Sequence, residues 1–374
     1  MKFSVPDHIL SIKAYVPGKP IEELEREYGI TDSVKLASNE NPLGPSPLAI
    51  AAIQNALARL NRYPDGAAFD LINAIVGHLI KAEAVKEGLI NIRPENIVVG
   101  NGSDDIIGLL AETLLQPGDE VILPQPSFLM YEISTLAAGA KPVFSQLNSF
   151  SIDLEDILTK VNNKTRLIYI CNPNNPTGTV LSQFEFEKFI AALPAGIVVV
   201  VDEAYIEFIR SENCLDSLRF LESDCPIVIL RTFSKAYGLA GLRVGYGIMP
   251  ARLAQILNRV RQPFNVNVLA QAGAVAALRD EPFLAKTIKL VHDGLDYLYK
   301  ELEKLKIDYF PTESNFLMID IKRDANQFFE EMLKQGVIIR SMASYGYPGY
   351  IRITVGLPEE NEKFIQALNN INLK

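Results

Sequence analysis

The chain has 374 residues, 48% of them hydrophobic and 22% charged, and a formal net charge of −9 at pH 7. That length holds more than one domain, and the mix excludes global disorder. The negative balance argues against general nucleic-acid affinity, which needs a basic face, but leaves room for a local cationic pocket that takes an anionic substrate.

The three cysteines, Cys171, Cys214 and Cys225, show no CxxC or His-paired spacing, so a reduced, cytoplasmic setting is the simplest context. The opening MKFSVPDHIL lacks the long apolar core of a signal peptide, and no apolar run approaches the roughly 18–20 residues of a membrane span. His8, His78 and His292 form no carboxylate–histidine cluster, so no metal site is expected.

Residues 1–45 read as an arm. IKAYVPGKPIEELEREYGI sets prolines on both sides of Gly18 and then a short charged helical pattern. KLASNENPLGPSP follows as a turn-rich linker. Residues 47–60 have helix spacing, with Leu48, Ile50, Ala51, Ile53, Leu57 and Leu60 as apolar positions. YPDG at 63–66 is a turn, and Tyr63 on physical grounds alone is an exposed loop tyrosine.

Residues 97–100 make a short strand, and NGSDDIIGLLAETLL opens a helix directly after it, with Ser103 as N-cap and Asp104 and Asp105 in the positive first turn. Strand, glycine, helix start is a phosphate cradle by geometry; a plainly capped helix has the same pattern. Strands follow at 120–123, ending in PQPSFLMYE, and at 166–170, ending in CNPNNPTGTVLS, whose NPNNPTG is turn chemistry throughout. A helix over 183–193 leads to the next strand.

Two β-branched runs, 197–201 and 227–230, read as buried parallel strands. Asp202 stands at the end of the first, with Tyr205 three residues on. Thr232, Ser234, Lys235 and Arg243 follow the second. Ligands of open α/β sheets sit outside the carboxyl ends of the strands, so these groups should face one crevice. A lysine forms a Schiff base with an aldehyde cofactor. Pyridoxal phosphate also needs an anion at its pyridine nitrogen and donors around its phosphate. Any one of these residues alone reads as a solvated loop position; Asp202, Lys235, Thr232, Ser234 and Arg243 together meet all three needs.

Residues 244–249 form a glycine-rich strand, 252–260 and NVNVLAQAGAVAAL are helices, and 281–305 is a long charged helix expected to act as the domain hinge. The tail, 306–374, carries strands at 315–321, 337–340 and 350–355 and helices at 325–335 and 359–370. In IRITVG, Arg352 takes the opposite face from Ile351 and Ile353. On spacing alone it reads equally as a surface arginine on an edge strand, and Arg340, closing VIIR, shares that standing.

The D-x-A-Y string at 202–205 and the S-K-x-x-x-L-x-G-x-R-x-G string at 234–245 resemble those of the fold-type I pyridoxal-phosphate aminotransferases. NPNNPTG is similar to their P-N-P-T-G loop. AYVPGKP and LASNENPLGPSP look like strings of the histidinol-phosphate aminotransferases, and the likeness covers nearly the whole chain. The resemblance implies an α/β fold: an arm (1–45) that packs with the small domain or a partner subunit, a large cofactor-binding domain (46–280) whose mostly parallel central sheet is sandwiched by helices, and a small α/β C-terminal domain (281–374). It implies a pyridoxal 5′-phosphate-dependent transaminase of histidine biosynthesis. The enzyme would interconvert histidinol phosphate and 2-oxoglutarate with imidazole-acetol phosphate and glutamate, as a homodimer with shared sites and without nucleic-acid or membrane partners.

By the same resemblance, Lys235 holds the cofactor and moves the proton, Asp202 pairs with its ring nitrogen, and Tyr205 and Asn175 donate to its ring oxygen. Phe128 stacks on the ring, in a place where many relatives carry tyrosine; as plain core it is equally consistent with its surroundings. Gly102, Ser103, Asp104, Thr232, Ser234 and Arg243 hold the phosphate, joined by Tyr63 of the other subunit. Tyr15, Asn39, Arg340 and Arg352 face the substrate, the arginines taking phosphate in one half-reaction and carboxylates in the other. Three other readings share these features: an aromatic amino acid aminotransferase, a pyridoxal-phosphate decarboxylase or lyase acting on an amino-acid phosphate, and an effector domain of a transcriptional regulator, which would need an attached DNA-binding domain.

Overall fold

The computed structural model describes residues 3–14, 19–30 and 32–371. Tyr15 lies outside the described residues. The arm contributes a two-residue strand, β1 (Val34–Lys35). The central sheet is built from β2 (Ile97–Gly100), β3 (Glu120–Gln125), β4 (Lys141–Gln146), β5 (Thr165–Cys171), β6 (Val198–Asp202), β7 (Ile227–Thr232) and β8 (Gly245–Ile248). Their order is β2-β8-β7-β6-β5-β3-β4. Only β8 runs against its neighbours in this sheet, antiparallel to β2 and β7; the other pairings are parallel.

The sheet is covered on both faces, which is why its inner strands read as unbroken apolar runs. Val199, Val201, Ile227 and Ile229 enter one core, with Leu71, Ile75, Phe186 and Ala274 from the covering helices. Val198, Val200, Val228 and Leu230 alternate into the other, with Ile106, Leu110 and Leu257. This period-two alternation fixes what stands at the strand ends: Asp202 and Thr232 continue one face, while Arg231 continues the other.

The second sheet contains β9 (Asp308–Phe310), β10 (Phe316–Asp320), β12 (Arg340–Ser341) and β13 (Tyr350–Thr354), in the order β12-β13-β10-β9 and antiparallel throughout. The single strand expected over 337–340 is two. β11 (Val337–Ile338) pairs in parallel with β1 of the arm, and β12 turns away to pair with β13. Two partners compete for one short apolar run, and each takes half of it.

The helix Glu281–Leu305 is capped by Asp280, whose side chain accepts from Phe283 N, and it ends where Lys306 turns left-handed at φ 58°. Its Val291, Leu295, Leu298 and Leu302 are buried in the core under the second sheet, each worth roughly 1.5–3 kcal/mol of burial. Near its start, Leu284 packs against this core and the first core alike.

Candidate active site

A crevice with a void of about 850 Å³, open mouth included, lies at the carboxyl ends of β5, β6 and β7. Asp202 stands at its floor. Tyr131 Oη donates to Asp202 Oδ2 at 2.7 Å, and Ala204 N donates to Oδ1 at 3.1 Å. Burial pushes the Asp202 carboxyl up to about 6, against the pull of the Tyr131 hydrogen bond. Tyr131 is itself fixed by stacking on Tyr169 at 4.5 Å and by an edge contact with Phe128 at 5.6 Å. Phe128 packs on the core and lines the crevice.

Lys235 follows β7 by three residues. Its Nζ donates to Ser38 O of the arm at 3.2 Å and lies 5.8 Å over the Tyr205 ring. Burial, helped by the Arg352 charge, lowers this amine to about 8. The Tyr205 hydroxyl accepts from Asn39 Nδ2 at 3.0 Å, and burial raises the phenol. Asn39 is held in the left-handed region (φ 56°) by Thr354, whose Oγ1 accepts from Asn39 N at 2.8 Å.

At one end of the crevice the backbone is bare. The helix Ser103–Leu114 starts there with Gly102 as N-cap and no side-chain cap, so Ser103 is its first helical residue and not the cap expected. A Cβ on Gly245 would come within 2.5 Å of Ser103 N, and one on Gly102 (φ 85°) within 2.6 Å of Arg243 Nη2. Glycine at both positions is what lets the amides, the guanidinium and β8 approach one another. Arg243 Nη1 donates to Ala240 O at 3.1 Å and reaches Ser234 Oγ at 3.5 Å, and Nη2 lies 3.6 Å from the Asp104 carboxylate. Thr232 Oγ1 accepts from Ser234 N at 3.1 Å. Uncapped N–H groups, hydroxyls and an arginine make a site for a phosphate.

The opposite wall comes from the second sheet. Arg352, expected as a possible edge residue, sits on an interior strand and is 5% exposed. Its Nη1 donates to Asn175 Oδ1, its Nη2 to Ala37 O at 2.9 Å, and it lies 5.1 Å over the Phe316 ring. Among the described residues its buried Nε has no partner. Arg340 is directly opposite Arg352 in the β12–β13 register, so the two project from one face, and both line the crevice.

The structure therefore gathers Ser103, Asp104, Phe128, Asn175, Asp202, Tyr205, Thr232, Ser234, Lys235, Arg243, Asn39, Arg340 and Arg352 into one crevice, with Gly102 just behind Arg243. It does not bring Tyr63 there. That ring is 82% exposed and stacks on Phe264 at 4.7 Å. Sequence reasoning missed Tyr131, Ser38 and Tyr345. The signal for Tyr131 was its nearness to Phe128, which precedes the helix Met130–Ala137 that carries it.

The profile of the aminotransferase class I and II family matches residues 31–368, and the chain belongs to that family. Among its relatives, a histidinol-phosphate aminotransferase of Moorella thermoacetica is 45% identical over 97% of this chain and 92% of its own length. Histidinol-phosphate aminotransferase 2 of Carboxydothermus hydrogenoformans is 48% identical over 96% and 97%. The crystal structure of histidinol-phosphate aminotransferase from Sinorhizobium meliloti, in complex with pyridoxal-5′-phosphate, superposes with a TM-score of 0.87 at 25% identity, covering 99% of both chains.

Proposed function

We propose that this chain is a pyridoxal 5′-phosphate-dependent histidinol-phosphate aminotransferase, exchanging an amino group between histidinol phosphate and 2-oxoglutarate. The observation that carries the substrate choice is the pair Arg340 and Arg352, in register on one face and lining the crevice that holds Lys235. Like charges directly opposite each other are destabilising, and a bound phosphate or carboxylate relieves them.

The crevice fits the cofactor at both ends. Its bare helix start with Arg243, Thr232 and Ser234 suits a phosphate, and the buried Asp202 suits a protonated ring nitrogen. When bound, pyridoxal phosphate supplies an aldehyde that captures amines and a ring that withdraws electrons from the substrate α-carbon. Lys235 Nζ would hold that aldehyde and, once the substrate amine has displaced it, would be free to accept the proton from the α-carbon; an amine near 8 is far better prepared for this than an ordinary lysine. Asp202 would keep the ring nitrogen protonated, with Tyr131 holding Asp202. Tyr205 and Asn175 would donate at the ring oxygen, and Phe128 would pack against the ring. Asn39, Arg340 and Arg352 receive the substrate.

In this reading residues 46–280 carry the cofactor, and 281–374 with the arm carry the substrate side. The working unit is a homodimer in which Tyr63 completes the phosphate site of its partner. Support comes from the exposed apolar run Leu57, Leu60, Tyr63 and Phe69, with Phe264 stacked on Tyr63. Among the described residues no helix is long and apolar enough to cross a membrane; the cytoplasm is the proposed setting.

Borohydride reduction of the yellow holoenzyme followed by peptide mapping tests the cofactor assignment. A phosphopyridoxyl group on Lys235 is the expected result, and one on another lysine overturns it. Mixing inactive Lys235→Ala with inactive Tyr63→Ala under subunit exchange tests the dimer. Heterodimers regain one intact site; no recovery despite exchange removes Tyr63 from the partner's site.

A further inference from the structure

The segment after β4 has a feature that the chemistry above does not use. Ser149 and Phe150 are consecutive non-glycine residues in the left-handed region, at φ 48° and 69°. Such backbone is uncommon for a bulky residue and persists only where the surroundings over-determine it. Here they do. Asn148 and Ser151 bridge each other across the turn through paired N–H···O bonds of 2.9 Å. The Phe150 carbonyl accepts from Thr179 Oγ1 at 3.1 Å, and Thr179 is linked through Thr177 to Asn174, the neighbour of Asn175.

The strained turn presents the Phe150 ring to the other sheet. It lies 4.2 Å from the ring of Phe310 on β9, 5.5 Å from Tyr347 and 5.8 Å from Tyr350 at the start of β13. Tyr347 belongs to the connection from β12 to β13, which follows Arg340 and Ser341 and carries Tyr345, a crevice residue. Phe150 and Tyr345 pack around the same small core, with Met318 and Met342. One aromatic side chain from the edge of the central sheet is thus seated among two rings of the second sheet and a third from the connection between its strands.

We infer that Phe150 is a positioning residue for substrate: it sets the distance between the two sheets, and so the reach of Arg340 and Tyr345 into the crevice. It touches neither substrate nor cofactor. Because the rings it meets lie on the substrate side, its loss leaves the cofactor end intact and weakens capture of the anionic substrate. This rests on the reading of Arg340 as a substrate residue.

The test is steady-state kinetics of the reconstituted holoenzyme with histidinol phosphate, alongside titration of apo-enzyme with pyridoxal phosphate. Phe150→Ala should raise KM about tenfold with kcat changed less than about twofold, and leave cofactor affinity at the wild-type value. Phe150→Leu, which keeps the apolar volume and loses the ring, should lie between and keeps the question open to test where the alanine variant does not fold. Thr179→Val should move KM in the same direction by less. An unchanged KM in Phe150→Leu, or a fall in kcat and cofactor affinity together, overturns the inference. Wild-type enzyme without turnover of histidinol phosphate overturns the functional reading instead.

Discussion

The two ends of the crevice are built in different ways. At the cofactor end, Asp202, Thr232, Ser234 and Lys235 follow two adjacent parallel strands, and strand alternation alone brings them to one mouth. At the substrate end, Arg352, Ala37 and Asn39 meet from two distant parts of the chain, joined by hydrogen bonds between a strand of the second sheet and the arm, and Arg352 reaches across to Asn175. On the proposed reading, chemistry is set by local sequence on one sheet, and choice of substrate by long-range assembly. Substitutions at the first end should change the reaction itself, and those at the second should change which molecule undergoes it.

The largest effect belongs to Lys235→Ala. With no amine to hold the cofactor or move the proton, kcat should fall by about 10⁴-fold or more while circular dichroism stays that of the folded protein. Retention of more than a few per cent of activity would place the acid–base group elsewhere.

Arg340→Gln should come next. It removes charge-assisted hydrogen bonds worth about 1.5–3 kcal/mol each, so kcat/KM for histidinol phosphate should drop about ten- to a hundredfold. The glutamate half-reaction should lose less, because Arg352 remains to take a carboxylate. Arg352→Gln should damage both. Equal losses in the two half-reactions for Arg340→Gln would dissolve the distinction between the arginines.

Tyr131→Phe removes a hydrogen bond that lowers the Asp202 pKa. The carboxyl should then titrate above about 6, and the acid limb of cofactor affinity should move to higher pH by about one unit. A limb that stays in place would show that Tyr131 is only packing.

The smallest effect joins the two ends. Only neutral Lys235 attacks the cofactor aldehyde, so the rate at which apo-enzyme takes it up should rise with pH and level off above about 8. The Arg352 charge is part of what lowers that amine, so Arg352→Gln should shift the profile toward alkaline pH. The profiles, measured by stopped-flow absorbance, should superpose only if the ends are electrostatically independent.

What the sequence disclosed follows the same division. The inner strands and the residues after β6 and β7 were legible because burial on both faces leaves apolar runs with chemistry at their ends, and the helix 281–305 because one buried stripe recurs at helical spacing along a charged segment. β4 escaped because KPVFSQ is a half-exposed edge with a proline and no alternation. The split of 337–340 between two sheets depends on the arm strand, 300 residues away in the chain, and no local pattern encodes it. The burial of Arg352 was hidden for the same reason: its strand becomes interior only when β12 pairs beside it. Tyr131 was missed although its spacing from Phe128 was visible, because a helical tyrosine carries no mark of the aspartate it meets.

The proposed enzyme joins a phosphate-binding pair of arginines and a half-buried lysine in one reaction. This is tested most directly by comparing kcat/KM for histidinol phosphate with those for histidinol, phenylalanine and tyrosine, all with 2-oxoglutarate as acceptor. Histidinol phosphate should exceed each of the others by about a hundredfold or more, the value of two charge-assisted contacts to its phosphate. A preference for phenylalanine or tyrosine, or equal rates with histidinol, would contradict it and make the enzyme an aromatic amino acid aminotransferase or one indifferent to phosphate.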